Sequence, residues 1–400
     1  MVSRPGRDGD GAPPTDSGPV CGGVPDRGPR RNGAAPRLRN ALRLRRATDD
    51  ATTVSPRMNI GFFTDSYFPG VDGVTYTIRA WRNRLEDRGH EVYVVYPASS
   101  HDPDERELPV PSLPNPFYRQ YRVPLYRRLS TLPDLDVVHC HGPASTGLMG
   151  RRYAKQRGVK SVYTHHTPVE DYFVQGLKLE ALAGVAGRAY VAYENRFLRS
   201  FDCVTASTSR IRRDVTPRKL PVGIETDTFR PVADSKFASD EPTVGYSGRM
   251  TRKKHVDEIL RLAERRPDLR FELVGEGPVR DDLEADAPEN ARFRDFLPRE
   301  DLPAFYSALD VFVTASTCDT LGLSTLEANA CGTPVAAADV PPFDRTIGPD
   351  NGARFEHGDL DDMERAVVDC LDGDRPTRAA VETFSVERTI DELEEIYGVS

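Results

Sequence analysis

The chain has few lysines for its length, and its charge balance is acidic. Only seven of its 54 basic residues are lysine, against 62 acidic residues and a formal net charge of -8. An acidic protein is a poor partner for the nucleic-acid backbone, so we expect no nucleic-acid partner. This composition is typical of a salt-rich cytoplasm, although a high-GC genome would give the arginine bias alone.

Cysteine usage and hydropathy exclude further classes of protein. The six cysteines lie far apart with no Cys-x-x-Cys pair, so they predict neither a disulfide framework nor a zinc cluster. No apolar run reaches the roughly 18 residues that a membrane-spanning helix needs, and the N-terminus lacks the apolar segment of a secretory signal. We therefore expect a cytoplasmic protein that is at most peripheral to the inner face of the membrane.

The first 57 residues differ in composition from the remainder. They hold eleven arginines and six aspartates, no lysine or glutamate, and little that a core could bury. This composition predicts a disordered extension, residues 1–57. Met58 opens the apolar segment M-N-I-G-F-F and could be the true initiator. The alternatives are a basic arm that contacts anionic lipid and a disordered tail without a function.

From Met58 onward, apolar strands alternate with helical segments, and the pattern restarts after a proline-punctuated link. The alternation predicts two parallel, doubly wound α/β domains, Rossmann-like in type, that face a cleft. The predicted ranges are 58–220 for the first domain, 221–240 for a linker, 241–375 for the second domain and 376–400 for a C-terminal helix.

The segment Thr317–Ala330 (T-C-D-T-L-G-L-S-T-L-E-A-N-A) carries the most information. It follows an apolar run typical of a buried strand and passes through Gly322 into a predicted helix. Such a turn presents free backbone N–H groups and a helix N-terminus, which bind anions. Asp319 and Glu327 bracket the turn with carboxylates, which suits a pyrophosphate between two hydroxyl-rich sugars. The segment therefore predicts a nucleotide-sugar site.

Basic and imidazole side chains follow other predicted strands. Arg249 and Lys254 lie five residues apart in a turn and can converge on one pair of phosphates. Fixed cations there would stabilise a departing nucleoside diphosphate. His139 and His141 lie near the end of a strand, where their spacing points them the same way, so spacing alone does not separate them. Asp319 likewise has two interpretations, a sugar contact or a cap for the following helix.

Two glycine turns are further candidates for the nucleotide. Gly73 lies after the first predicted strand and permits a close approach of backbone to diphosphate. Gly275, Glu276 and Gly277 form a turn after a strand of the second domain, although a plain turn would look the same. His165 and His166 are adjacent on a strand and point to opposite faces, so we expect no metal there.

Six motifs, in one order along the chain, resemble those of the retaining family 4 glycosyltransferases. They are T-D-S-Y-F-P-G-V-D-G-V (64–74), V-V-H-C-H-G-P (137–143), H-T-P-V-E-D-Y (166–172), S-G-R-M-T-R-K-K (247–254), V-G-E-G-P (274–278) and E-A-N-A-C-G-T-P-V (327–335). The resemblance implies the GT-B architecture of two Rossmann-like domains, with a last helix that crosses back to the first domain. It also implies that domain 58–220 binds the acceptor and domain 241–375 binds the nucleotide-sugar. Two positions depart from the pattern: Asp319 replaces the first Glu of Glu-x7-Glu, and Asp72 replaces a glycine.

The resemblance also implies roles for individual residues. Asp319 and His141 would contact the transferred sugar, and Glu327 would bind the ribose hydroxyls. Backbone near Gly322 and Leu323 would receive the pyrophosphate, assisted by Arg249 and Lys254. His166, Glu170, Asp171 and Tyr172 resemble the acceptor pattern of members that glycosylate diacylglycerol and related lipids.

The expected activity is therefore a retaining, metal-independent transfer of a hexose from a nucleotide-diphosphate sugar to an alcohol, with a membrane lipid as the expected acceptor. The nucleotide-sugar is a substrate, so no cofactor is expected, and a UDP-sugar is expected rather than a GDP-sugar. Tyr118–Arg128, which interleaves tyrosine with arginine, would touch the membrane or pack on the domain. The alternatives are a soluble sugar acceptor, a non-catalytic nucleotide-sugar-binding protein, and a phosphorylase or synthase of the same fold.

Overall fold

The computed structural model describes most of the chain from Pro56 onward. The described residues are 56–70, 72–114, 122–125, 129–166, 180–207, 211 and 213–399. The predictions made for residues 1–55, for most of Tyr118–Arg128 and for Glu170, Asp171 and Tyr172 lie outside them.

The first sheet has seven parallel strands. The strands of this half of the chain are β1 (Asn59–Phe63), β2 (Glu91–Pro97), β3 (Glu107–Val110), β4 (Ser112–Pro114), β5 (Arg122–Pro124), β6 (Val137–Cys140), β7 (Lys160–His165), β8 (Cys203–Ala206) and β9 (Arg218–Lys219). Their order across the sheet is β3-β2-β1-β6-β7-β8-β9, and β4 and β5 form a separate antiparallel hairpin. The accompanying helices are α1 (Gly73–Asp87), α2 (Ser145–Arg157) and α3 (Glu180–Leu198).

The second sheet has six parallel strands in the order β12-β11-β10-β13-β14-β15. They are β10 (Thr243–Ser247), β11 (Arg270–Val274), β12 (Ala291–Arg294), β13 (Val311–Thr314), β14 (Val335–Ala338) and β15 (Gly352–Phe355). The helices of this half are α4 (Val256–Arg265), α5 (Arg280–Ala285), α6 (Leu302–Ser307), α7 (Leu323–Ala330), α8 (Phe343–Thr346), α9 (Leu360–Asp372), α10 (Thr377–Val381) and α11 (Val386–Tyr397). Among the described helices, none is long and apolar enough to cross a bilayer.

The central strands of both sheets are continuous apolar runs. Every residue of β6, β13 and β14 is buried, and so are four of the five residues of β1. A parallel sheet with helices on both faces buries both sides of each strand, so its strands lose the alternation of a half-exposed sheet. The predicted fold class, two parallel α/β domains, is confirmed.

Asp72 begins α1 as its N-cap. Its Oδ1 accepts a hydrogen bond from the Thr75 backbone N–H at 2.7 Å, and its backbone is extended. A capping carboxylate satisfies one of the N–H groups that the first turn of a helix leaves unpaired. The aspartate at the position of the family's glycine therefore stabilises the start of the helix that follows β1.

Replacing Asp72 by alanine is expected to lower the free energy of unfolding by about 0.5–2 kcal/mol, because the N-cap hydrogen bond is lost. Urea unfolding followed by circular dichroism measures this change. Asp72→Asn is the matched control, since an asparagine oxygen caps almost as well, and equal losses in the two variants would contradict the capping role.

The C-terminal helix α11 packs on α1 of the first half. The Tyr397 hydroxyl lies 2.7 Å from His139 Nδ1, and Arg88 Nη1 donates to Glu394 Oε2 at 2.7 Å. Trp81, buried on α1, donates its indole N–H to the Val222 carbonyl at 2.7 Å. Helix α11 is thus part of the core of the first half of the chain. The exact boundaries of the domains stay predictions.

Candidate active site

The predicted donor residues follow the carboxyl ends of parallel strands, where α/β folds bind their ligands. His141 follows β6, Arg249 and Lys254 follow β10, and Asp319 follows β13. Strands β10 and β13 are neighbours, so the loops that follow them adjoin. Arg249 is exposed and makes no ion pair with any described residue.

The N-termini of α1 and α7, which the sequence assigns to the pyrophosphate, meet in the structure. A Cβ atom added to Gly73 would lie 3.6 Å from Leu323 Cδ1. Gly322 begins α7 in the left-handed conformation (φ 75°), and no side chain within the described residues caps this helix. The first turn of α7 therefore keeps N–H groups that can bind an anion.

Lys254 and Asp319 form an ion pair across the two adjoining loops. Lys254 Nζ lies 2.8 and 2.9 Å from the two carboxylate oxygens of Asp319, and each side chain is 21% exposed. The Thr317 backbone N–H donates to the Lys253 carbonyl at 3.1 Å and ties the loops together. Since Asp319 holds Lys254 and no side chain caps α7, the interpretation of Asp319 as a helix cap is wrong.

Glu327 is buried and already hydrogen-bonded. Its Oε1 accepts from Arg299 Nη1 at 2.9 Å, and its Oε2 accepts from the Tyr306 hydroxyl at 3.2 Å. Burial raises the pKa of Glu327, while Arg299 opposes that shift. A carboxylate has about four acceptor positions, so two remain for a ligand such as the ribose hydroxyls.

Arg299 is a residue of the site that the sequence does not reveal. Besides Glu327 it contacts Glu225 Oε2 at 2.9 Å, and its guanidinium lies 4.8 Å from the ring centre of Tyr76 on α1. Arg299 thus links the second half of the chain, the segment between the sheets and the first half. No motif surrounds it, so only the tertiary contacts identify it.

Three histidines stack at the end of β6 and β7. The ring centres of His139 and His141 are 4.3 Å apart, and those of His141 and His166 are 5.3 Å apart. His141 Nδ1 lies 3.0 Å from His166 Nε2. Burial lowers the pKa of His141 well below its usual range, and the neighbouring imidazoles of His139 and His166 lower it further. Burial and the nearby His165 lower the pKa of His166 to about 3. The rings of His141 and His166 are therefore neutral at physiological pH.

The hydrogen bonds distinguish His139 from His141. His139 is fully buried, and both of its ring nitrogens are engaged, Nδ1 by Tyr397 and Nε2 by Thr164 Oγ1 at 2.6 Å. His141 Nε2 is buried and has no partner among the described residues. A buried ring nitrogen without a partner carries a desolvation cost that a ligand hydroxyl would remove. The geometry favours His141 as the ligand-binding histidine.

The structure places His166 beside His141. Because β6 and β7 are neighbouring strands, the residue after β7 comes within hydrogen-bonding distance of the residue after β6. His166 is therefore in a position to orient the His141 ring, in addition to the acceptor contact predicted for it.

The turn at Gly275, Glu276 and Gly277 braces the loop that carries Arg249. The Glu276 carbonyl accepts a hydrogen bond from the Met250 N–H at 2.8 Å. A Cβ on Gly275 would overlap the Gly248 carbonyl, and one on Gly277 would overlap that of Met250. The glycines thus permit two backbones to touch, which is a structural reason for them independent of the nucleotide.

Asp65 is a second residue that the sequence left without a role. It follows β1, and its carboxylate accepts hydrogen bonds from the Ala144 N–H at 2.8 Å and from the Thr146 hydroxyl. Burial raises its pKa above the usual range. These bonds fix the loop that follows His141 and the first turn of α2.

Two parallel α/β domains, with cations, carboxylates and a histidine at the ends of their strands, define a nucleotide-dependent transferase of the GT-B type. Residues 229–384 match the family model of the glycosyl transferases group 1, and residues 71–222 match that of glycosyltransferase family 4. The chain belongs to these family 4 glycosyltransferases and transfers a sugar from a nucleotide-sugar donor.

Curated relatives agree with this assignment, and a solved structure shares the fold. The chain is 26% identical to alpha-monoglucosyldiacylglycerol synthase of Streptococcus pneumoniae over 78% of each chain. It is 29% identical to the GDP-mannose-dependent alpha-mannosyltransferase of Mycolicibacterium smegmatis over 70% of this chain and 80% of that protein. Its fold resembles sucrose-phosphate synthase from Thermosynechococcus elongatus, with a TM-score of 0.67, 20% identity, and coverage of 86% of this chain and 98% of that one.

Proposed function

We propose that this protein transfers a hexose from a UDP-sugar to the hydroxyl group of a membrane lipid, with retention of configuration. The bond between the sugar C1 and the phosphate oxygen breaks, and the acceptor oxygen bonds to C1 on the same face. The acceptor's proton passes to the departing phosphate oxygen, so no protein carboxylate needs to form a covalent intermediate.

The proposal of a lipid acceptor is based on an apolar surface beside the loop that follows His141. The exposed side chains are Leu113 on β4 (55%), Val123 on β5 (43%), Leu125 directly after β5 (41%) and Leu148 on α2 (43%). The Ser145 hydroxyl at the start of α2 donates to the Pro124 carbonyl of β5. Large exposed apolar side chains gathered at one place are typical of a surface that contacts a partner or a membrane. This exposed cluster is the observation that carries the proposed acceptor.

The donor is proposed to lie between the strand ends of the two sheets. The N-termini of α1 and α7 receive the diphosphate together with Lys254, whose ammonium Asp319 holds in place. His141 Nε2 contacts a hydroxyl of the transferred sugar, and Glu327 contacts the ribose. A cation already in place stabilises the charge that develops on the leaving diphosphate without reorganising.

Glu327→Ala is expected to weaken donor binding by about 1.5–3 kcal/mol, because a hydrogen bond to a charged group is lost. Isothermal titration calorimetry with the donor measures this change. Tyr306→Phe is the matched control, since it removes the hydroxyl on Glu327 Oε2 and leaves the carboxylate in place. An affinity unchanged in Glu327→Ala would refute the ribose contact.

The proposed function is tested by the fate of a labelled sugar. Purified protein is incubated with labelled UDP-glucose, GDP-mannose or ADP-glucose, together with vesicles that contain diacylglycerol or phosphatidylinositol. We expect label from the UDP-sugar to enter the organic phase after extraction. The same reactions with glucose or fructose 6-phosphate in place of vesicles test for a soluble acceptor.

Each alternative gives a different outcome. Label that enters only a water-soluble product contradicts the lipid acceptor, and transfer from GDP-mannose alone contradicts the UDP donor. If the protein binds the donor but neither transfers the sugar nor slowly hydrolyses the donor, it is a non-catalytic binding protein. Glucan breakdown that depends on inorganic phosphate would indicate a phosphorylase.

A further inference from the structure

Three potential metal ligands lie next to the loop that carries Lys254. His255 directly follows that lysine, Glu258 is in the first turn of α4, and His357 lies between β15 and α9. His255 Nδ1 is 3.6 Å from Glu258 Oε1, and His357 Nδ1 is 3.6 Å from Glu258 Oε2. One ligand atom from each residue lies within 4.8 Å of the other two.

The two distances of 3.6 Å between histidine nitrogens and Glu258 oxygens suit a bound zinc ion better than direct hydrogen bonds. The distance of 3.6 Å is too long for a side-chain hydrogen bond. Zn²⁺ binds imidazole nitrogen and carboxylate oxygen at roughly 2.0–2.2 Å, so two ligands at a tetrahedral angle lie about 3.4 Å apart. Two imidazoles and one carboxylate are also a donor set that zinc uses in proteins, whereas Mg²⁺ and Ca²⁺ prefer oxygen ligands alone.

The state of His357 gives an independent reason for a ligand. Its Nδ1 is buried and forms no hydrogen bond with any of the described residues. Polar atoms that are buried in native structures nearly always have a partner, and each exception calls for an explanation. A metal ion between His357 and Glu258 would supply the missing partner.

His255 occupies a backbone conformation that few side chains adopt. At φ 49° and ψ 42° it is left-handed, and it is the one non-glycine residue with positive φ in the described part of the chain. Such a conformation is strained for a residue with a side chain and persists where the surroundings impose it. It turns the chain sharply between the short 3-10 helix Arg252–Lys254 and α4.

We propose that His255, Glu258 and His357 bind a Zn²⁺ ion that braces the Lys254 loop from behind. Binding through Nδ1 leaves the proton of His255 on Nε2, which lies 3.3 Å from Thr317 Oγ1 and can donate to it. Second ring nitrogens of metal-bound histidines commonly donate in this way. Thr317 is two residues before Asp319, so the ion would stiffen both loops of the Lys254–Asp319 pair while taking no part in the transfer itself.

The test is direct metal binding by untagged protein that has been stripped with a chelator and then freed of it. Calorimetric titration with Zn²⁺ is expected to show one site per chain, and thermal unfolding is expected to shift to higher temperature. Co²⁺ in place of Zn²⁺ is expected to give the intense visible absorption of tetrahedral coordination. Absence of saturable binding, or the weak spectrum of an octahedral oxygen site, would overturn the proposal.

Variants assign the site to its residues. His357→Ala and His255→Asn are each expected to abolish saturable Zn²⁺ binding, and asparagine tolerates the left-handed backbone of position 255. His101→Ala is the matched control, because His101 is similarly exposed and also faces a carboxylate, Glu107. Binding retained in His357→Ala, or lost equally in His101→Ala, would contradict the site. Circular dichroism confirms that each variant is folded, so the result does not depend on transferase activity.

Discussion

His141→Ala is expected to lower turnover by roughly 10²–10³-fold at saturating donor, the usual cost of removing one polar group that contacts the reacting part of a substrate. His141 Nε2 has no partner among the described residues, and burial keeps the ring neutral. The Nε2 atom of the ring can therefore form a hydrogen bond with a sugar hydroxyl, and an alanine side chain cannot. Initial rates at saturating donor, measured beside the melting temperature, check this expectation.

His139→Ala is the control for this experiment. Its ring nitrogens are engaged by Tyr397 and Thr164, so its loss removes a buried hydrogen-bond partner from each of these two hydroxyl groups. The expected cost is about 1–3 kcal/mol of folding free energy with a much smaller effect on turnover. If His139→Ala abolished transfer and His141→Ala only destabilised the protein, the assignment of the two histidines would be reversed.

Lys254→Ala is expected to have a similarly large effect, again roughly 10²–10³-fold, and mainly on turnover. The lysine acts on charge that grows as the bond to phosphate breaks, so it stabilises the transition state more than the bound donor. Steady-state kinetics separates the two effects. A change confined to the Michaelis constant for the donor would contradict this role.

Asp319 variants extend the same test. Asp319→Asn is expected to lose part of the rate because a neutral amide holds the ammonium less firmly, while Asp319→Glu, which restores the family's residue, is expected to preserve transfer. Because Asp319 and Lys254 are in contact, the double variant should lose less than the sum of the single losses. Additive losses would show that the two side chains act separately.

The fold was predictable because its central strands are continuous apolar runs that can be recognised in the sequence. The apolar runs at β1, β6, β10 and β13 are buried on both faces of a sheet, and glycine or proline separates them from the helices. The short strands β3, β4, β5, β9, β12 and β15 were not predicted. β12 (Ala291–Arg294) carries two arginines and is only partly buried, so its extended conformation comes from pairing with β11 and not from its own pattern.

The candidate site divides in the same way. Asp319 and Glu327 lie in one segment, and Lys254 lies in another with Arg249; the spacing within each segment already suggests their chemistry. Arg299 acts through Glu225 and Glu327, which are 74 and 28 residues away, and this contact arises only when the chain has folded. The contact of His166 with His141 likewise depends on the pairing of β6 with β7, which spacing alone does not give.

We propose that the chain transfers a sugar from a nucleotide-diphosphate donor with retention of configuration. Proton NMR of the anomeric signals, followed during reaction of the donor with lipid vesicles, tests it most directly, because even slow transfer to water reports the configuration. We expect that release of the nucleoside diphosphate is matched by a product that appears first as the same anomer as the donor. A product of inverted configuration, or a donor that stays intact while bound, would contradict it.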